Sequence, residues 1–309
     1  MQAARGRTRD ELFDEAFLRK LERLEIVARK VRAGILRGER RSLKRGQSVE
    51  FADFRTYSHG DDLRRVDWNV YARFERAFIK LFVEEEDRTV HVILDTSPSM
   101  DWGDGAAHKL TFGRRTAAAL GYIALGGLDR VALATAGAGL TARSPSFRGT
   151  GALFRLFDFL ATDAPAWPTA GQGTDLDAAL AEYATRARNP GPLFLISDLL
   201  GAGSGGGRSG LTALRAHGYE PNLIHTLSPD ELDPPLRGEL RLVDRETGAA
   251  RELTVDDAAL ARYRRGLDAW RDDLAGWCGG RSIPYLPVDT GTPFEDLLLT
   301  TLQRGGMVA

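Results

Sequence analysis

Val90-His91-Val92-Ile93-Leu94-Asp95-Thr96-Ser97-Pro98-Ser99 is the stretch on which the fold turns. His91 to Leu94 is a short, largely apolar run closed by Asp95. A strand covered on both faces reads as such a run, without strict alternation. Similar runs follow at Arg130–Thr135, Pro192–Ser197, Asn222–Thr226 and Ile283–Val288, the second of these closed by Asp198. Helical spacing fills the intervals at Lys109–Leu125, Gly151–Leu160, Asp175–Arg188, Leu211–His217, Asp256–Trp277 and Phe294–Gln303. Alternation of this kind predicts an α/β fold, a doubly wound, mostly parallel sheet with helices on both faces. Such sheets bind ligands beyond the carboxyl ends of their strands, where Asp95 and Asp198 both fall. One interval departs from the pattern: Glu239–Thr254 reads as a hairpin around Glu246-Thr247-Gly248.

Upstream of Val90 the rhythm is different. Leu12, Phe13, Ala16, Phe17, Leu21, Leu24, Val27, Ala28 and Val31 recur at helical spacing and predict one amphipathic helix over Asp10–Leu36. Arg37–Arg88 mixes Arg, Gly and Asp with Phe51, Phe54, Tyr57, Trp68, Tyr71 and Phe74, which suits an irregular, hydrogen-bonded layer. Arg55, Arg64, Arg65 and Arg73 alternate with Asp53, Asp61, Asp62 and Asp67, so a network of charged pairs with Trp68 and Tyr71 buried beside it is expected. The domain organisation follows: a helix over 1–36, a segment over 37–89 packing on the sheet, and the α/β domain over 90–309.

Composition narrows the function classes. Among 309 residues, 42 Lys and Arg face 43 Asp and Glu, a net charge of −1, so no global field favours nucleic acid or an anionic membrane. The basic cluster Arg37, Arg40, Arg41, Lys44 and Arg45 leaves a nucleic-acid-binding module as one alternative; pairing with Glu50, Asp53, Asp61, Asp62 and Asp67 is the simpler use of it. Cys278 is the one cysteine, which excludes an internal disulfide and a cysteine zinc cage. The N-terminus has no apolar signal core, and the longest apolar stretch, Ala117–Leu128, is broken by glycine and too short to span a bilayer. A soluble cytoplasmic protein is expected.

The chemistry gathers at the strand ends. Asp95-Thr96-Ser97-Pro98-Ser99 places hydroxyls two and four residues after a carboxylate. Thr174 adds a hydroxyl at the start of a helix, and Asp198 a second carboxylate after another strand. An Asp-x-Ser turn alone also serves as an ordinary cap, but the five donors Asp95, Ser97, Ser99, Thr174 and Asp198 converge on one edge of the sheet. Hard oxygens without nitrogen or sulfur suit Mg²⁺, or Mn²⁺ or Ca²⁺, rather than zinc. Two carboxylates balance a dication and leave room for one more anionic oxygen, such as an Asp or Glu carboxylate from a protein partner. Since Thr174 and Asp198 lie at the rim, replacing them is expected to leave the fold intact. Catalysis is not expected. Asp95 as a phosphoryl acceptor would want a lysine and further acids near the strand ends, and no such set stands out; Ser97 and Ser99 have no paired histidine, and the five histidines read as solvated or structural. A metal-dependent phosphoester hydrolase remains the alternative. Gly201–Gly210 lacks the Gly-Lys-Ser/Thr ending of a phosphate loop and reads as a mobile surface loop bordering the site.

Asp95-x-Ser97-x-Ser99, then Thr174, then Asp198, resembles the metal-ion-dependent adhesion site of von Willebrand factor A domains. The resemblance implies Ser97, Ser99 and Thr174 as direct ligands, with Asp95 and Asp198 acting through water or behind them. Gly46-Gln47-Ser48-Val49-Glu50-Phe51, Arg55-x-Tyr57, Gly60-Asp61-Asp62-x-Arg64-x-Val66-Asp67-Trp68, Ala72-Arg73, Val83-Glu84-Glu85-Glu86 and Val243-Asp244-Arg245-Glu246-Thr247-Gly248 are similar to the signature of the bacterial "domain of unknown function 58" family, which precedes a von Willebrand A-like domain. That resemblance covers roughly Arg37 to Arg304. It implies an adaptor in chaperone-like remodelling, maturation or metal insertion, partnered by a MoxR-type AAA+ ATPase or its client. Some members carry N-terminal membrane helices, and none is expected within the residues of this sequence.

Overall fold

The computed structural model describes residues 8–24, 51–58, 66–74, 76–82, 88–162, 175–186, 189–200, 206–294 and 296. Thr174, the Arg37–Arg45 cluster, the second half of the expected N-terminal helix and most of the expected closing helix lie outside them. The chain divides into two compact units, Met1–Ala33 with Arg88–Ala309, and Gly34–Asp87.

In the larger unit the N-terminal helix is not continuous. A short helix α1 (Arg9–Leu12) stops at Phe13, and helical residues 15–24 (α2) start afresh. Asp14 causes the break: its carboxylate accepts the Phe17 N–H at 2.7 Å, a helix cap in the middle of an apolar pattern that by itself runs on. The apolar stripe still does its work on both sides of the break. Phe13 stacks on Phe157 at 4.5 Å between ring centroids, and Phe17 meets Phe294 at 5.2 Å.

The smaller unit is more regular than its composition suggests. Strands β1 (Phe51–Thr56) and β2 (Phe78–Phe82) pair antiparallel, with helix α3 (Trp68–Phe74) between them in sequence. Asp67 caps that helix, its carboxylate accepting the Val70 N–H at 3.2 Å. The expectation that Trp68 and Tyr71 are buried is overturned: they are 60% and 45% exposed. They lie three residues apart on one helix face and meet edge to face, while Val66, Asp67 and Ile79 take the buried positions. Arg73 is exposed as well. The side chains of Asp53, Arg55, Asp61, Asp62, Arg64 and Arg65, expected to pair, lie outside the described ones.

The main sheet of the larger unit is built from β3 (Thr89–Asp95), β4 (Arg130–Ala136), β5 (Leu140–Arg143), β6 (Phe147–Arg148), β7 (Pro192–Ser197), β8 (Glu220–Leu227) and β11 (Tyr285–Asp289). Its order is β11-β8-β7-β3-β4-β5, with β6 also on β4. All pairs are parallel except those of β5 and β6 with β4. The fold is therefore α/β with a mostly parallel, mixed sheet. The antiparallel edge strands β5 and β6 were not foreseen, because each is too short to show a period.

Helices cover both faces. Val92 and Leu94 of β3 join α4 (Lys109–Gly126), α5 (Leu153–Ala161) and the N-terminal helices in one core. Ile93, pointing the other way, joins α6 (Leu176–Arg186), α7 (Arg208–Ala216) and α9 (Asp257–Gly279) in a second. Helix α4 lies so close to β3 that a Cβ on Gly113 would meet Leu94 Cδ1 at 2.7 Å, a distance real Cβ atoms essentially never show. Helix α7 starts at Arg208, so Arg208–Gly210 belong to it and not to the expected loop; Gly210 is packed on Leu180. A short helix α8 (Pro229–Leu232) follows β8. Strands β9 (Gly238–Val243) and β10 (Ala250–Val255) form the expected hairpin, a two-stranded sheet of its own.

A candidate metal site at the switch point of the sheet

From β3 the chain crosses to β4 on one side, while β7, β8 and β11 extend the sheet on the other. The crevice between the carboxyl ends of β3 and β7 is thus the topological switch point, the place where an open α/β sheet leaves room for a ligand. Parallel register carries Leu94 beside Ile196 and so brings Asp95 and Ser197 to the same level.

Four of the five expected donors meet there. Asp95 is 1% exposed; it accepts the Ser97 N–H at 2.8 Å through Oδ1 and the Ser197 hydroxyl at 2.6 Å through Oδ2. Ser97 Oγ lies 3.0 Å from Ser99 Oγ, and Ser99 Oγ donates to Asp198 Oδ1 at 3.1 Å. Leu200 donates its N–H to the same oxygen at 3.0 Å. Between them Leu199 holds φ at 56°, a left-handed conformation that a branched side chain rarely adopts. Its N–H is tied to Ser197 Oγ at 2.9 Å, so the strained turn is fixed at the residue that aims Asp198. Burial and the nearby charge of Asp198 push the Asp95 carboxyl up to about 7, against the hydrogen bonds from Ser197 and Ser97 that favour its ionised form.

Ser97 Oγ, Ser99 Oγ and Asp198 Oδ1 form a row with spacings of 3.0 and 3.1 Å. Neighbouring oxygens around an octahedral Mg²⁺ at its usual bond length are separated by about 3 Å. The two spacings are those of hydrogen bonds and also of neighbouring oxygens around a hard dication, and a dication would relieve the carboxylate repulsion felt by Asp95.

Sequence reasoning missed three charged residues. Lys109, fully buried, donates to Asp198 Oδ2 at 2.6 Å and to Glu231 Oε1 at 2.5 Å. The expectation that no lysine or further acid stands near the strand ends is thereby corrected; both arrive from elements distant in sequence. So is the expectation that Asp198 is a rim residue: it is 0% exposed and pairs with a buried ammonium. A signal for Lys109 existed, since a lysine in the first turn of a helix opposes the helix dipole and needs an anionic partner. Glu231 was disguised. Ser228-Pro229-Asp230-Glu231 is a capping box, and Glu231 Oε2 does accept the Ser228 N–H at 2.8 Å while Oε1 holds Lys109. The third residue is Glu246, from the β9–β10 turn, whose Oε1 accepts the Ser99 N–H at 3.0 Å.

Histidine serves structure here. His225, behind the site, contacts the Asp198 carbonyl at 3.1 Å and the Tyr285 hydroxyl at 2.8 Å, and burial pushes its pKa down to about 4. His108 caps α4 and lies 3.0 Å from Asp101. Close to the site in sequence, Trp102 and Leu200 are 42% and 44% exposed.

A family model described as "Protein of unknown function DUF58" matches residues 53–272. An uncharacterised protein of Mycobacterium bovis is 30% identical over 285 residues, 91% of this chain and 87% of that one, and one from Mycobacterium tuberculosis matches to the same extent. Among solved structures, an aerotolerance-related membrane protein from Bacteroides fragilis matches 70% of this chain and 99% of its own at 17% identity and a TM-score of 0.44. The conserved hypothetical protein BatB from Bacteroides thetaiotaomicron matches 71% and 100% at 14% identity and a TM-score of 0.43. No helix among the described residues is long and apolar enough to cross a membrane.

Proposed function

The chain belongs to the family described as "Protein of unknown function DUF58", and from that premise we propose that it is a metal-dependent protein-recognition module and not an enzyme. The observation that supports this reading is the grouping of Ser97 Oγ, Ser99 Oγ and Asp198 Oδ1 at the switch point, hard oxygens 3.0 and 3.1 Å apart. Mg²⁺ is the ion of choice, with Mn²⁺ and Ca²⁺ as substitutes, and Thr174 is the further ligand that the adhesion-site resemblance implies. Such an ion would supply a positive centre for an anionic oxygen, and the partner's oxygen is an Asp or Glu carboxylate. Exposed Trp102 and Leu200, close to the site in sequence, suit a protein partner, since aromatic and apolar anchors beside a polar centre are what interfaces use. The partner to try first, on the family resemblance, is a MoxR-type AAA+ ATPase or its client.

One observation favours the hydrolase alternative: a lysine does stand beside Asp198. Yet Lys109 Nζ is committed to two carboxylates, and both oxygens of Asp95 are held by Ser97 and Ser197, so neither group is presented to a phosphoester. Titration calorimetry with Mg²⁺ tests the site. Binding to the parent chain and none to Ser97→Ala/Ser99→Ala is expected; undiminished binding by the double variant sinks the assignment. Phosphoester turnover that disappears in Asp95→Ala would replace recognition by catalysis.

A further inference from the structure

The β9–β10 hairpin buries the wrong kind of residue. Along Gly238–Val255 the strands stand in solvent, with Leu242 and Val243 41% and 57% exposed. Only Glu246, at the tip, and Val255, at the base, are buried. Burying a carboxylate costs far more than burying either exposed aliphatic side chain would gain, unless that carboxylate has a defined anionic place to fill. Glu246 has one. Its Oε1 lies 3.0 Å from the amide of Ser99, the residue whose hydroxyl sits in the middle of the donor row. Beside it, Arg245 donates to Asp101 Oδ2 at 2.7 Å, two residues further along the same loop.

The tip is held in shape by hydrogen bonds of its own. Asp244 Oδ1 accepts the N–H groups of Glu246 and Thr247 at 2.8 and 3.0 Å, and Asp244 O accepts the Gly248 N–H at 2.8 Å. Gly248 supplies the positive φ of 72° that closes the turn. A self-organised turn thus presents a basic and an acidic side chain to the loop of the candidate site, on an arm with little apolar burial of its own to hold it there.

We propose that the Asp244–Gly248 tip is an internal ligand: Glu246 at the Ser99 amide and Arg245 at Asp101 hold the mouth of the site until a partner turn of the same chemistry, a carboxylate next to a basic residue, displaces them. The proposal rests on the recognition reading above and names the partner surface for it. A protein whose competent state is populated only in part binds more weakly by that fraction, so releasing the tip raises affinity for the partner segment.

The probe is a cyclic peptide carrying Val243–Ala250 of this chain, the two residues that face each other across the hairpin. It is titrated into the full-length parent and into Glu246→Ala, with Mg²⁺ and again with chelator, while the Ser99 amide resonance and the affinity are followed. Glu246→Ala binds the peptide about tenfold or more tightly than the parent does, with a shift of the Ser99 amide. A peptide with Gln in the Glu246 place does not bind. Arg245→Ala, altered at a side chain that is 42% exposed and so safe for folding, gives a smaller gain in the same direction. Equal affinity of parent and Glu246→Ala, or no binding by Glu246→Ala while its melting is unchanged, overturns the internal ligand. Calorimetric loss of Mg²⁺ in Ser97→Ala/Ser99→Ala alongside such equality leaves recognition standing and removes only this inference. Peptide binding that favours Glu246→Ala equally with and without chelator does the reverse.

Discussion

Strand β3 carries a buried polar cluster at each end, and the two are built on opposite principles. At the amino end, His91 Nδ1 meets the Tyr183 hydroxyl at 2.7 Å and Nε2 meets the Asn189 carbonyl at 3.0 Å, with Tyr219 packed edge-on against the ring. Both ring nitrogens are used and the ring stays neutral, its pKa pushed down to about 4 by burial. Four residues on, Asp95 shares its crevice with Asp198, Glu246, Glu231 and one ammonium, next to a strained Leu199. In the first cluster neutral groups answer both ring nitrogens, as packing demands. The second gathers four carboxylates, those of Asp95, Asp198, Glu231 and Glu246, with the buried Lys109 ammonium bound to two of them. Burial is common to both ends; what separates them is that one is built from neutral groups and the other from charged ones.

The comparison breaks most readily at Asp198. Asp198→Ala leaves Lys109 buried with half its partners, a loss that usually costs about 3–5 kcal/mol. Relief of the repulsion on Asp95 and the remaining bond to Glu231 put the expected value near the lower figure. Urea unfolding measures it. A variant as stable as the parent would mean that Lys109 does not depend on this carboxylate.

The amino end answers to pH. Folded His91 holds its pKa at about 4 against an ordinary 6.5, so the unfolded chain binds the extra proton between these values. Its contribution is complete above about pH 6.5 and is lost as pH falls toward about 4, in total about 3 kcal/mol. His91→Gln should flatten that part of the stability profile. An unchanged slope would show that the ring is not held neutral.

Mg²⁺ should stabilise the carboxyl end alone. At ten times its dissociation constant the gain is about 1.4 kcal/mol in the parent and absent in Ser97→Ala/Ser99→Ala, read from melting temperature with and without chelator. The smallest effect sharpens the contrast: Tyr183→Phe removes the hydrogen bond to His91 Nδ1, costs about 1 kcal/mol and leaves Mg²⁺ affinity unchanged. A change in Mg²⁺ affinity would mean that the two ends of β3 are coupled.

Much of this molecule is legible in its order of residues. Apolar runs closed by Asp95 and Asp198, alternating with helical spacing, determine the parallel sheet and the edge at which these two residues meet, because strand burial and crossover handedness are local rules repeated along the chain. Asp-x-Ser-x-Ser and Asp198 are legible as a polar cluster at the strand ends for the same reason: their chemistry follows from residue type and position at a strand end. Short edge strands such as β5 and β6, and the cap at Asp14 that splits the first helix, escape periodicity because one or two residues decide them. What only the tertiary structure decided is the electrostatic company of the site. Lys109 comes from the first turn of α4, Glu231 from a capping box after β8, and Glu246 from the tip of a hairpin 147 residues beyond Ser99. Each has an ordinary local explanation as a helix, cap or turn residue. Their common target exists only once the strands align in register, since charge acts through space and chain order carries no record of distance.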